Sequence, residues 1–497
     1  MMRKRERACS APCLSDMERP EHPQRKDRPK VERNYPVCGR KLTTWRGGVL
    51  LLALALILGC ASAKRAPVGM ETTGQQDLRA LEERAAMNPQ DVALQLLLLK
   101  AWVSVDSVQR AASVADRLQT LVMRPPEADV WCALAHFLAN RSGGREELLA
   151  QLARPEVPES TVSMIGFALG HPFVTERVTE LNGDAAFPNP SPDGRKLAFQ
   201  WDKRGNWDIF VLDLSSRELT QLTDHPARDE SPCFAPNGRA LAFTSTRNDT
   251  ARSKTIGQGD SRDIFLIGLD GGSPICIVGS DADDWYPRFA PDGRSLFFAS
   301  ERDVAGERKT GVEGRGELYR LWFATGQVQR LTVNETNDTA PWASHDGARL
   351  YFARAIDGLF HIFVMNLGSS EVKQVFAPKE FGIDEAGAPS LSRKELLAFV
   401  GRAGQNFDIY ALDLRTGKKI RLTRHPALDQ APVFDQAGDI LYFHSNRTGR
   451  FQLYRIYLGK PVSRSELIEE LQSEAEFGSG NDSWNREGGK AVYALDK

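Results

Sequence analysis

Pro287-Arg-Phe-Ala-Pro-Asp-Gly293-Arg-Ser-Leu-Phe-Phe298 is the stretch that decides the fold. A proline opens it, an Asp-Gly pair supplies a tight turn, and an apolar run closes on phenylalanine. Asp-Gly or Asn-Gly between apolar runs signals a hairpin, because glycine accepts positive φ without strain. The same order returns at Pro188…Gly194…Phe199, Pro232…Gly238…Phe243, Pro341…Gly347…Phe352 and Pro432…Gly438…Phe443. A fifth relative, Pro389…Phe399, is one residue shorter, with Ser392-Arg-Lys-Glu395 in place of the turn.

Each copy continues into a third apolar strand, such as Asp208–Leu214, Asp263–Leu269 or Asp408–Leu414, and three copies add a short Leu-Thr strand ending at Thr223, Thr332 or Thr423. Those threonines stand nine residues before the next proline, and so does Thr179 before Pro188. Four strands repeated six times predict a six-bladed β-propeller over 173–460, with Arg177-Val-Thr179 completing the last blade. Ala491–Leu495 is a rival for that place without matching register.

Working outward, 75–153 carries apolar residues at helical spacing, including Leu94, Leu97, Leu98, Ala101 and Trp102. Two openings, Asn88-Pro-Gln-Asp91 and Pro125-Pro-Glu-Ala-Asp129, suit helix starts, and Asp91 and Asp129 lie 38 residues apart. The unit resembles a degenerate pair of tetratricopeptide repeats; a plain helix bundle used as a spacer is the alternative. The fold class expected is therefore mainly β, a six-bladed propeller preceded by a small helical unit. Beyond it, 461–497 reads as a short helix opened by a capping box at Ser463-Arg-Ser-Glu466, then a flexible tail from Phe477.

The N-terminal 46 residues are basic and proline-rich, and are expected to be disordered; a start downstream of Met1 would account for so long a leader. In 47–60, a positive flank precedes the apolar run Val49–Leu58 and then Gly59-Cys60, the layout of a secretory signal. Ten apolar residues span about 15 Å as a helix, half of a bilayer core, so an uncleaved signal anchor is the weaker reading. Ile57-Leu-Gly-Cys60 resembles the bacterial lipobox, which implies lipid on Cys60 and attachment to the membrane. Ala61, not Asp, follows, which resembles the pattern sent to the periplasmic side of the outer membrane.

The 64 Lys and Arg balance 65 Asp and Glu, which removes nucleic acid as an expected partner. Seven cysteines without paired CxxC argue against a disulfide scaffold and a zinc site, and no cofactor is expected.

Ser191-Pro-Asp-Gly194 and Arg421-Leu-Thr423, within the repeats above, resemble the TolB-type WD-like propeller repeat. The resemblance implies a periplasmic protein-binding module, with another envelope protein or a peptide as partner. The helical N-terminal unit departs from the mixed α/β domain of that family.

Similar propellers cap peptidases, but only 37 residues follow Lys460 and Phe477-Gly-Ser-Gly480 is no nucleophile elbow. A second rival is a propeller enzyme acting on acidic glycans, for which His225 and His425 stand in matching His-Pro loops. Asp229, Asp284, Asp338 and Asp429 each precede a blade's proline by three residues. Lys203, Arg247, Arg302 and Arg447 each follow a strand-ending Phe by four. Strand order brings both sets to one mouth of the channel, either as within-blade ion pairs or as a charged mouth that grips a peptide or a cation. Near that same mouth, Trp201, Trp207, Trp285 and Trp342 are blade-specific aromatics that either anchor a partner or belong to the core. The candidate partner-binding set is Trp285 and Trp342 with Asp229, Asp284, Asp338 and Asp429; no catalytic or metal-binding residue is expected.

Overall fold

The computed structural model describes residues 71–480 apart from 106, 249–260, 281 and 303–315. Cys60, the leader and Ala491–Leu495 lie outside the described residues. The chain divides into two compact units at Ile165–Gly166.

The first unit is helical. Asp91 caps the helix Val92–Ser104, its carboxylate accepting the N–H of Leu94 at 3.0 Å. Asp129 does a different job: it lies inside the helix Pro126–Leu138 and pairs with Arg124 at 3.0 Å and Arg154 at 3.3 Å. The helices Val108–Gln119 and Gly144–Leu152 follow those two, making successive helical hairpins. Their first helices start 34 residues apart, at Val92 and Pro126, closer to the 34-residue helical-repeat period than the aspartate interval. Helical structure runs past 153, through Glu159–Leu169.

The second unit is the six-bladed propeller, each blade an antiparallel four-stranded sheet. Blade 1 runs outward from the channel through Ala185–Pro190, Lys196–Asp202, Trp207–Asp213 and Leu219–Gln221. The innermost strands of blades 2 to 6 are Asp229–Phe234, Asp284–Phe289, Asp338–Ala343, Glu385–Leu391 and Asp429–Phe434. Blade 6 takes its outermost strand, Phe173–Arg177, from the start of the domain, paired with Gln452–Pro461. Thr179 shows why the Leu-Thr motif recurs: its Oγ1 accepts the N–H of Leu453 at 2.9 Å. Thr223, Thr332 and Thr423 do the same for Ile209, Leu318 and Ile409 at the same distance.

The strand-ending phenylalanines form the blade cores. Phe199, Phe243, Phe298, Phe352, Phe399 and Phe443 are all fully buried. Each faces an aromatic of the third strand across the sheet, with ring centroids 5.6–6.2 Å apart. Such cross-strand pairs add to the burial term and fix register. Turn glycines sit at φ near +70°; in the fifth blade Glu395 holds that conformation at +59°. There Ser392 Oγ accepts the N–H groups of Lys394 and Leu396 in place of the usual Asp.

After the last strand, Ser463 and Glu466 cap each other reciprocally, and the helix runs from Arg464 to Gly480. It therefore continues through Phe477–Gly480, where the glycines suggest a flexible tail.

Candidate functional site

The innermost strands all run the same way, so the channel has two distinct ends. One carries the aspartates; the other carries the proline-glycine hairpins.

At the first end, Asp229, Asp284, Asp338 and Asp429 are fully buried. Asp229, Asp284 and Asp429 pair with Arg247, Arg302 and Arg447 at 2.7, 2.9 and 3.0 Å. Ser245, Ser300 and Ser445 accept the Nε of those arginines, and each guanidinium also covers the aromatic pair of its blade. Blade 4 reaches the same result from another position: Arg354 replaces that serine and pairs with Asp338 at 2.7 Å. Blade 1 departs. Ala185 stands where the aspartate would be, so Lys203 lies over the rings of Trp201 and Phe210. Burial raises Asp284 to about 6 against the opposing effect of Arg302, and raises Asp429 as well. The four carboxylates are thus committed inside their blades. At blade 6 the pair is also covered, since Arg447 bridges to Glu470 of the C-terminal helix at 2.7 Å.

Trp285 is at this end but is wedged between blades. Its Nε1 donates to Thr339 of blade 4 at 2.9 Å, and Arg262 lies over its ring at 5.7 Å. His225 and His425 are structural twins whose Nδ1 accepts the N–H of Ala227 or Ala427 at 3.0 Å. His225 is exposed, whereas His425 is 1% exposed and burial takes its pKa down to about 3.

Halfway along the channel every innermost strand bulges just before its proline. Phe187, Ser231, Tyr286, Ala340, Ala388 and Ala431 occupy that position in blades 1 to 6, all at φ between +49° and +54°. Register shifts mark the same six places. Left-handed non-glycine residues cost energy and persist only where the surroundings dictate them. Four blades use Ala or Ser there. Phe187 and Tyr286 instead meet near the axis, ring centroids 6.1 Å apart, and pack with Ala431.

Past these rings the channel opens toward the hairpin end. A recess of about 20 Å³, open to solvent, is lined by Tyr286, Arg288, Trp342, Pro341, Pro389 and Pro432, among others. Trp342 belongs here and not with the aspartates. It pairs with Tyr351, four residues beyond Asp338, which as extended chain is about 13 Å further along. The expectation that Trp285 and Trp342 share one mouth is therefore corrected: they are at opposite ends. Tyr286 and Arg288 were missed in the sequence, although both flank the proline of the motif that revealed the fold.

Among the described residues, no group of three His, Cys, Asp or Glu could hold a metal ion, and no helix is long and apolar enough to cross a membrane.

Residues 173–253 match the TolB beta propeller domain family. The protein TolB homolog of Chlorobium chlorochromatii is 27% identical over 190 residues, 38% of this chain and 36% of that one. The Tol-Pal system protein TolB of Wolinella succinogenes is 25% identical over 182 residues, 36% of this chain and 39% of that one. The chain spans less than two-fifths of the length of these relatives. Among solved structures, TolB from Acinetobacter baumannii aligns with 63% of this chain and 70% of its own, at 19% identity and a TM-score of 0.39. An oligogalacturonate lyase in complex with manganese aligns with 58% and 94%, at 15% and 0.41.

Proposed function

We propose that this TolB-type propeller is a non-catalytic binding module of the bacterial envelope that holds another envelope protein or a peptide. One observation carries the reading. The charged residues repeated from blade to blade are sequestered in ion pairs, whereas Tyr286, Arg288 and Trp342, which do not repeat, line a small solvent-open recess in the channel. Tyr, Arg and Trp are the residue types that most often anchor a partner. The likeness to TolB proteins supports an envelope protein as the partner class.

The rest of the reading concerns placement. Lipid on Cys60 would hold the protein on the periplasmic side of the outer membrane, and the helical unit that precedes the propeller in the chain is read as tetratricopeptide-like. Labelling with a palmitate analogue that disappears in Cys60→Ser tests the anchor; unlabelled protein retaining residues 1–59 would point to a signal anchor instead.

Retention of partners from crosslinked envelopes tests the module. Trp342→Ala is expected to weaken retention about thirtyfold, the effect of losing an anchor of about 2 kcal/mol, without lowering cooperativity of unfolding. Unchanged retention would remove the hairpin end from the reading. Turnover of an acidic glycan that is abolished by His225→Ala would replace the binding module with an enzyme. His425 is too deeply buried to act on a substrate directly.

A further inference from the structure

Charge on the propeller strands is paired with near-complete regularity. Arg177, Lys196, Arg330, Arg349, Arg354, Lys373, Arg402, Lys419, Arg421, Arg455 and Lys460 each have a carboxylate oxygen within 3.6 Å. Among the described residues, two strand cations lack one: Arg288 and Arg320.

These two are neighbours. In blade 3, Arg288 is the register partner of Phe297, and Phe297 that of Arg320. Cross-strand partners point to the same face, so the two arginines flank Phe297 on the side that packs against Leu350 and Phe352 of blade 4. Their Cα atoms are two strand spacings apart, roughly 10 Å. Both side chains are half-buried and lie on aromatic rings: Arg288 is 5.2 Å from the centroid of Trp342, and Arg320 is 3.6 Å from that of Trp322. Arg320 donates its Nε–H to Ser295 Oγ at 2.9 Å, and Arg288 donates to the carbonyl of Pro287 at 3.5 Å. Burial pushes Arg320 below its ordinary range, with only the exposed turn residue Asp292 opposing it.

A guanidinium stacked through its face keeps its N–H edge for a planar oxyanion, which it grips with two parallel hydrogen bonds. Leaving two such cations half-desolvated without an ion-pair partner is less favourable than pairing them with an arriving anion. Carboxylates on residues i and i+2 of an extended chain stand about 7 Å apart, a spacing comparable to that of the two arginines along the sheet. The aromatic and proline walls suit the apolar side chains between them.

We propose that the seam between blades 3 and 4, at the hairpin end of the channel, is a carboxylate-binding site for an extended acidic peptide segment of the partner protein, gripped by Arg288 and Arg320. The assignment rests on the reading of the propeller as a binding module and gives that module its ligand chemistry.

The test uses the full chain and two probes, Ac-Asp-Phe-Asp-Phe-NH2 and its Asn counterpart, with affinity read by calorimetry and tryptophan fluorescence. The Asp peptide is expected to bind saturably and at least tenfold more tightly than the Asn peptide. Arg288→Met and Arg320→Met should each weaken it fivefold or more. Arg288→Lys, which keeps the charge, should lose less than Arg288→Met, a ranking that simple loss of packing on Trp342 would not produce. Arg195→Met, in an exposed turn of blade 1, should change nothing. Equal binding of the two peptides, no saturable binding of the Asp peptide, or indifference to both Met variants in well-folded protein overturns the site. Displacement by acetate at the peptide's own concentration also overturns it, since the site would then serve a small free anion. Failure of the module reading looks different: the wild-type chain would retain no envelope protein at all, whatever the peptides do. Retention that persists unchanged in both Met variants would leave the module standing and remove the carboxylate site.

Discussion

The two ends of the channel are made by the same six strands, yet they treat charge in opposite ways. At the aspartate end, blades 2, 3, 4 and 6 each bury a carboxylate against an arginine of the same blade. At the hairpin end there is no such repetition: the position after each blade's proline holds Asn189, Cys233, Arg288, Trp342, Ser390 and Val433 in turn. Asn189 and Ser390 accept the N–H of Phe234 and Phe434 in the next blade, whereas Arg288 has no such partner. Repetition marks what every blade needs in order to stand; a departure from it marks what one blade does alone.

The aspartate end can be broken most severely. In Asp429→Ala the Arg447 guanidinium, 8% exposed, loses its partner inside the blade. Breaking a buried pair by removing one member costs about 3–5 kcal/mol, because the remaining charge is uncompensated. Denaturant unfolding should show that loss, with peptide binding at the hairpin end intact under native conditions. A variant as stable as the parent would mean that Glu470, also paired with Arg447, suffices alone, and that the repeated pairs are not what holds the blades.

Much of this was legible, and the rest was hidden for identifiable reasons. Pro, Gly, Phe and Thr repeat because a turn, a bulge, a core and a strand-closing hydrogen bond repeat. Thr179 disclosed the ring closure because its role is the same as that of Thr223 and Thr423. The partner of Asp338 was not legible from the four-residue rule, since blade 4 uses Arg354, two residues after Phe352. Trp342 was placed at the wrong end because loop order was read without counting along the strand. The pairing of Arg288 with Arg320 was out of reach, as it depends on cross-strand register between segments 32 residues apart.

An intermediate effect concerns the joint between blades. The bulge N–H of blade 2, on Ser231, is accepted by Gln200 of blade 1 at 2.8 Å. The bulge N–H of blade 1, on Phe187, is accepted by Nδ1 of His444 of blade 6 at 3.3 Å. Blade 6 thus does with a titratable group what blade 1 does with a neutral one. Burial lowers the His444 pKa from 6.5 to about 3. Its contribution to stability is full above pH 6.5 and is lost as pH falls toward 3, because the unfolded chain takes up the proton first. Between pH 6.5 and 4.5 that is about 2–3 kcal/mol. Asp208 and Asp408, raised by burial to about 6, act oppositely, losing stability as pH rises from 3.8 to 6, but they are common to both proteins compared. His444→Gln should therefore match the parent near pH 7.5 and be the more stable of the two at pH 4.5, by urea unfolding at each pH. Parallel pH profiles would show that His444 is not held neutral.

The smallest effect tests whether a departure from the repeat has a role at the bulge itself. Ala340 sits at φ +50° beside the open channel space, a conformation that glycine adopts freely and alanine does not. Relief of that strain is worth about 1–2 kcal/mol, and the greater freedom of glycine in the unfolded chain takes back about 0.4–1 kcal/mol. Ala340→Gly should accordingly raise stability by about 0.5–1 kcal/mol. Phe187 holds the same conformation, at φ +54°, but its ring packs against Tyr286 and Ala431. Phe187→Gly gains the same relief and loses a buried aromatic worth about 3–5 kcal/mol, so its sign reverses. Opposite signs at one repeated position would show that blade 1 uses its bulge to close the axis while blade 4 leaves it open; two gains would mean that the Phe187 ring does not pack there.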